Sequence, residues 1–539
     1  APDDLTEYGN IDSTDLNHVT IIDASTGEVT LDGVRIGEFD GGGNVVQNGG
    51  LLNFDGFTET KIGGEGPNPS TWVMNGNATI LYEDPLGAAG AGYGADGPFG
   101  NDFDVGNGLS EATLELNDNA VLRISDDLKV SDNGVAAGAT ISLNDNAQVT
   151  IGSGTSIGDD GPALLSIAGD SLYVSGNSAG PGNVDDGYTN EGYLTMHQVD
   201  IDVRDNGRLW IRTLQHRGGE ASITVGDNAR FDIFDVYFHE APELGVTTVQ
   251  GDVNGSERTS TISESAGDVA TVIIEDNGVM TVDSDVPGSA WSGLALSGGN
   301  NRGGNGGGGE TLVEVRDQGS FTVQQDLHMT LGTEEAAAST LKVRGPDASV
   351  AVNGDLRMAL DEFGDANFGS ATLHAVITAA THSTIQVGGD VNIDNGNLVV
   401  ELDGFTPFGG ESYELISAGT VTGDEFLSVD VDLAPLLDGL SWEVAVDGSS
   451  VLLNVLGSAG VPGDFDGDGQ VDGADLLLWQ RGGSPDPLSA ADLATWEANF
   501  GAGATQAAAI SAVPEPRTIW LLFVAAVSLG FQIARRRNA

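Results

Sequence analysis

Five aspartates stand within twelve residues of the segment GDFDGDGQVDGADLLLW (463–479). Counted from Asp464, they fall at positions 1 (Asp464), 3 (Asp466), 5 (Asp468), 9 (Asp472) and 12 (Asp475), with Gly469 at 6 and Gln470 at 7. Alternate residues of a tight loop turn their side chains toward one centre, and a hard divalent cation takes about six to eight oxygens from such a centre. A glycine at position 6 permits a sharp bend, Gln470 offers its backbone carbonyl, and Val471 can pin the loop to a core. The simpler alternative is a solvated acidic turn, which leaves five carboxylates to repel one another.

This is the twelve-residue spacing of an EF-hand-type calcium loop. Ending in Asp475, it resembles a dockerin repeat with ADLLLWQRG (474–482) as its helix. A second copy, ADLATWEANFG (491–501), follows at a 17-residue shift that superimposes Asp492 on Asp475 and Trp496 on Trp479. Its loop has lost the ligands, with Arg481, Gly483, Pro485 and Ser489 at positions 1, 3, 5 and 9. The expectation is therefore one Ca2+, held by Asp464, Asp466, Asp468, Gln470, Asp472 and Asp475. The resemblance implies a cohesin-like partner, a role that the degenerate second copy weakens.

The carboxyl terminus, VPEPRTIWLLFVAAVSLGFQIARRRNA (513–539), has 17 uncharged residues (518–534) between Arg517 and Arg535. At about 1.5 Å per residue they form about 25 Å of helix, enough for a thin bilayer. The cluster Arg535, Arg536 and Arg537 would stay on the cytoplasmic side. Pro514-Glu515-Pro516 before the span and arginines after it resemble the PEP-CTERM sorting signal of bacteria. That resemblance implies processing by an exosortase-type enzyme and delivery to the cell surface or extracellular polymer. A plain tail anchor is the alternative.

Two other motif matches carry no chemistry. GNSAG (176–180) fits a nucleophile elbow but lacks the strand–turn–helix context that strains the serine, and glycine, at 80 of 539 residues, makes chance matches easy. GYGADG (92–97) fits a dinucleotide fingerprint but precedes a proline rather than a helix. Three of the seven histidines, His197, His216 and His239, are spaced 19 and 23 apart, close to one coil of a solenoid. Stacking could bring them to one side near Trp210 as a glycan-binding strip, with aromatic rings meeting sugar faces. The plainer reading scatters these residues over strand faces.

The elements that carry these groups follow from composition and repetition. There are 81 acidic against 20 basic residues, a net charge of −61, and no cysteine. Such a surface repels phosphate backbones, which excludes nucleic acid as a partner, and the missing cysteines exclude disulfides and thiolate metal sites. Abundant glycine with only 6% aromatic residues suits many short strands joined by turns. From residue 111 a unit recurs, as in ATLELNDNAVLRI (112–124), ATISLNDNAQVTI (139–151), VDIDVRDNGRLWI (199–211) and ASITVGDNARFDI (221–233). Each is two alternating strands around an Asp-Asn turn. The turn aspartates Asp118, Asp145, Asp205, Asp227, Asp276 and Asp317 are spaced 27, 60, 22, 49 and 41 apart. The short steps suit one solenoid coil, and the long ones suit two coils or one coil with an insertion.

A lone hairpin is marginal in water, whereas stacked coils give each one-sided unit a continuous core. The expected fold class is all-β: a parallel β-helix-like solenoid, then a small α-helical dockerin-like calcium module and a C-terminal transmembrane helix. A β-sandwich array is the competing architecture. The chain divides into a β-rich start (1–110), solenoid repeats (111–395), a terminal β cap (396–457), a linker (458–463), the calcium module (464–501), a spacer (502–512) and the sorting signal (513–539). The cap resembles the stretch that closes autotransporter-like repeat proteins. The reading is of a non-enzymatic, exported, structural or adhesive surface protein in contact with polysaccharide. The alternatives are a β-helical polysaccharide lyase or hydrolase, and a dockerin-type binding module.

Overall fold

The computed structural model describes residues 9–11, 20–22, 28–31, 34–37, 42–54, 60–64, 67–82, 103–106, 108–124, 127–131, 138–152, 154–175, 193–211, 213–235, 260–262, 267–284, 293–298, 308–331, 337–360, 369–437, 439–457, 462–465, 469–482, 484 and 488–502. The chain clusters into two compact units. One comprises 1–407, 411–435 and 442–455, and the other 408–410, 436–441 and 456–539.

The first unit is a β-solenoid. Consecutive strands visit three sheets in turn, here called I, II and III, so each coil contributes one strand to each. Sheet I runs in 14 strands from Gly9–Ile11 to Thr420–Thr422, and sheet II in 14 strands from Thr20–Ile22 to Ser428–Leu433. Sheet III starts at Glu28–Leu31 and has 15 strands. All neighbours within sheets I and II pair in parallel, for example Ala112–Leu116 with Ala139–Leu143. At about 4.8 Å between strands, fourteen coils stack over about 65 Å. Strands of the first 110 residues belong to the same three sheets as the later repeats.

The Asp-Asn turns are corners between sheet II and sheet III, not hairpins. The strand after each turn pairs with its counterpart in the next coil, as Val121–Ile124 does with Gln148–Ile151. One left-handed residue makes the corner: φ is +60° at Asp118, +63° at Asp145, +57° at Asp205, +55° at Asp227, +54° at Asp276 and +55° at Asp317. A two-residue hairpin turn of type I′ would need two such residues in succession. Aspartate tolerates this conformation better than most non-glycine residues, and its carboxylate gains a bond there. Asp118 Oδ2 accepts from Gly76 N at 2.9 Å, Asp145 Oδ2 from Asp118 N at 3.3 Å, and Asp227 Oδ2 from Asp205 N at 3.3 Å. Beside them runs an amide ladder, in which Asn117 Nδ2 donates to Asn75 Oδ1 at 3.1 Å and Asn144 Nδ2 to Asn117 Oδ1 at 2.9 Å.

Gly169, with φ +69°, holds the same corner in the coil between Asp145 and Asp205, so that long interval is two coils. The 49- and 41-residue intervals are single coils with insertions, since Arg230–Asp235 pairs directly with Val279–Ser284 and that strand with Ser320–Val323.

Alternation along the strands places one row inward. On sheet II the register stacks Trp72, Leu114, Ile141, Leu165 and Ile201 in one column, each at most 1% exposed. Full burial of one such aliphatic side chain contributes about 1.5–3 kcal/mol. At the far end the parallel order breaks. Ser450–Leu456 runs antiparallel to Ser412–Ser417, and Ser441–Val446 lies outside it as the last strand of sheet III. Trp442 closes this end, with its indole Nε1 donating to Ala434 O at 2.9 Å.

A charged ladder continues the corner row in later coils. Arg204 Nη1 reaches Glu275 Oε1 at 2.7 Å, and Arg316 Nε reaches Glu275 Oε2 at 2.9 Å. Burial alone would raise the Glu275 carboxyl, but hydrogen bonds from Arg316 and Arg204 outweigh it and hold it below its usual value. Between Arg204 and Glu275 lies the coil carrying Gly226, where a Cβ would sit 2.1 Å from Arg204 Nη1. The glycine is the gap through which the arginine crosses a coil. Gly226→Ala is therefore expected to displace Arg204 and cost about 1–3 kcal/mol, read as a lower midpoint in thermal unfolding, whereas Arg204→Ala/Gly226→Ala should cost little more than Arg204→Ala.

Three histidines, His216 fully and His374 and His382 partly buried, couple the fold to pH. Burial lowers His216, His374 and His382 below the ordinary value. The unfolded chain then binds protons more readily near pH 6.5 than the folded one. Their contribution is intact above about pH 6.5 and falls as pH drops below it. His216→Met, copying its sheet I neighbour Met196, should flatten the decline of the unfolding midpoint between pH 7 and 5; an unchanged slope would contradict the assignment.

Candidate metal centre and glycan strip

The helical pair α1 (Gly473–Gln480) and α2 (Ala490–Asn499) forms the described part of the aspartate-rich module. Asp472 is the N-cap of α1: its Oδ1 accepts from Ala474 N at 2.7 Å, and Asp475 Oδ2 accepts from Asp472 N at 2.8 Å, completing a capping box. Asp475 is fully buried, and its Oδ1 also accepts from Phe465 N at 2.7 Å, which ties the start of the loop to its end. Asp464 Oδ2 accepts from Gly469 N at 2.8 Å, and Gly469 has φ +83°. Gly469 thus makes the bend that position 6 calls for. Val471 is fully buried and pairs with the chain beyond α2, donating to Ala502 O at 2.9 Å and accepting from Gly501 N at 2.8 Å.

These residues fit a calcium loop. Each engaged carboxylate oxygen keeps a further lone pair for a cation. Asp466 and Asp468 lie outside the described residues. Among the described residues, no three His, Asp or Glu side chains gather into a metal-holding group.

The 17-residue duplication has a structural counterpart. Trp479 Nε1 of α1 donates to Ser489 O at 3.0 Å, and Trp496 Nε1 of α2 donates to Asp472 O at 2.8 Å. Ser489 and Asp472 are equivalent positions, and each is the N-cap of its helix. Each indole therefore holds the cap of the other helix. The second loop's former ligand positions now serve as caps: Ser489 Oγ accepts from Asp492 N at 3.0 Å, and Arg481 ends α1. The sequence match of Trp479 with Trp496 was the signal for this reciprocity; its hydrogen bonds were not legible there.

The residues expected to form a glycan strip are distributed over two sheets. His216 points inward on sheet I in register with Met196 and is fully buried, 3.2 Å from Gly218 O through Nε2. His197 follows Met196 in the adjacent coil, with its side chain 18% exposed and Nε2 3.5 Å from Asp159 Oδ1. Trp210 faces outward on sheet III, between Val174 and Asp232, and is only 9% exposed. His239 lies outside the described residues, as do the sorting-signal residues Pro514, Glu515, Pro516, Arg535, Arg536 and Arg537. Among the described residues no helix is long and apolar enough to cross a membrane.

The structure also brings together a charged cluster that the sequence spacing did not suggest. On the outward face of sheet II, Glu314, Lys342 and His374 stand in register in successive coils. Lys342 Nζ lies 3.4 Å and His374 Nε2 2.9 Å from Glu401 Oε2, and Arg344 pairs with Asp403. The available signal was one charged residue at the same outward position of TLVEV, TLKV and ATLHAV. Comparison with protein families, with curated proteins and with solved structures returns no match to the chain.

If the loop holds calcium, titration should show one tight site per chain with a change in tryptophan emission. Asp464→Ala and Asp475→Ala should weaken binding at least tenfold, and Trp496→Phe should remove much of the emission change while leaving the stoichiometry at one.

Proposed function

We propose that this protein is an exported component of the cell surface or extracellular polymer, acting as a rigid structural or adhesive rod. The observation that carries the reading is the conjunction of a fourteen-strand parallel stack with the Pro514-Glu515-Pro516, apolar-span and triple-arginine signature at the carboxyl terminus. A solenoid distributes load over continuous ladders and presents one long face, which suits display rather than turnover. The PEP-CTERM resemblance supplies the route: membrane insertion through 518–534, recognition by an exosortase-type enzyme, and release to the exterior. A net charge of −61 favours a milieu rich in divalent cations, where calcium can bridge the rod to anionic polymer and occupy the Asp464–Asp475 loop.

A carbohydrate-active role is the second reading. It is favoured by the acids and bases on sheet II, where Glu401 contacts both Lys342 and His374. A cohesin-like partner is favoured only by the dockerin-like spacing and by the exposure of Leu477, Leu488 and Phe500.

Fractionation of cells carrying an internally tagged chain tests the main reading. The tag is expected in the surface or matrix fraction, and it should be retained at the membrane when Pro514-Glu515-Pro516 is replaced by alanines. A product that remains in the cytoplasm, indifferent to that replacement, would overturn it.

A further inference from the structure

The chain enters and leaves the helical module at one loop. On the way in, Gly463 has φ +99° and lies where a Cβ would come 2.9 Å from Trp496 Cα, so the entry is pressed against α2. Phe465 N then donates to Asp475 Oδ1 at 2.7 Å. On the way out, Gly501 N donates to Val471 O at 2.8 Å, and Val471 N donates to Ala502 O at 2.9 Å. These two backbone bonds tie the residue at loop position 8 to the chain just beyond α2, across both helices.

The bridge is particular to the exit. The 17-residue shift that matches the two copies equates Val471 with Leu488, yet Val471 is fully buried and Leu488 is 58% exposed. Gly501 has φ +90°, a region closed to most residues, and no atom stands within 4 Å of the place of its Cβ. Glycine is needed there for its backbone, not for lack of room. Phe500 before it has φ −56° and ψ 121°, which turns the chain out of α2. At the other end of the bridge, Val471 lies between Gln470 and Asp472, inside the twelve residues that carry five aspartates. Closing that loop crowds carboxylates that repel one another, and a divalent cation among them turns repulsion into attraction.

We propose that the bridge from Val471 to Gly501 and Ala502 is a calcium-dependent clasp, closed when the loop is loaded and open when it is not. The proposal rests on the reading of the loop as a calcium site and adds a role for the ion in the exported protein. The chain runs from the solenoid through this module to the apolar span at 518–534. With the clasp closed, tension between those two is carried by the loop and the bridge, and α1 and α2 stand outside its path. With the clasp open, the tension passes through both helices. Coupling of this kind is reciprocal, so the clasp also tightens the hold on calcium.

The test is amide hydrogen exchange on the full chain in detergent, with calcium or with chelator, alongside calorimetric calcium titration. Calcium should slow exchange at Val471 and Gly501 by about tenfold or more. Gly501→Pro removes one donor and cannot adopt a positive φ. With calcium this variant should exchange fast at Val471, keep α2 protected, and bind the ion about threefold or more weakly. Gly501→Ala keeps the donor and strains only the backbone, so its affinity should fall between the other two. Exchange at Gly501 that ignores calcium would overturn the proposal, as would wild-type affinity in both variants. One calcium bound per chain with Val471 and Gly501 unprotected refutes the clasp and leaves the calcium reading standing. No calcium bound at all refutes that reading, and the clasp with it.

Discussion

Beside the left-handed residues that lead from sheet I into sheet II (such as Gly63, Gly106, Ser131 and Gly158), the solenoid depends on one left-handed residue at the corner between sheets II and III, present in each coil from Gly76 to Gly345. That residue turns the chain while letting the backbone ladder run on around the bend. Asn119 N donates to Gly76 O at 2.9 Å, Asn146 N to Asp118 O at 2.8 Å, and Asn228 N to Asp205 O at 2.8 Å, so the corner is bonded like a strand. The next residue is small, as at Ala120, Ala147, Gly207, Ala229 and Gly278, because it lies against the preceding coil; a Cβ at Gly278 would come 2.2 Å from Val225 O. The register of both flanking sheets is set here, and the inward columns inherit it.

The same constraint explains what could be read from the residues alone. In the central coils the corner always has four residues, such as 117–120, 144–147, 204–207 and 316–319. A fixed turn chemistry at a fixed length repeats visibly, which is why the Asp-Asn units stood out. The other two corners vary in length. The segments 83–102, 176–192 and 236–259 all fall between a sheet III strand and the following sheet I strand. They erase any constant period and disguise the stack as irregular hairpins. Gly169 hid one copy altogether by replacing the aspartate with the one residue that needs no side chain to turn left.

Side-chain roles were less legible than the fold, for a physical reason. Sequence gives the face of a strand by parity, but the coil-to-coil partner only through register. His216 illustrates the loss: its spacing from His197 suggested a shared strip, yet parity places it inward behind Met196. Glu401 shows the opposite case, meeting Lys342 across 59 residues and His374 across 27. In the helical module the 17-residue duplication is a short-range pattern and was legible, whereas the capping box of Asp472 and Asp475 was not read there.

The end of the stack has a consequence of its own. A parallel strand ladder left bare would template further copies of itself, as amyloid does. Here the last strands of sheet III reverse direction, and Trp442 fastens the reversal to Ala434. A neighbouring molecule cannot continue the parallel pairing on that side without a change of polarity. At this end sheet III therefore offers no free parallel edge for another chain to extend.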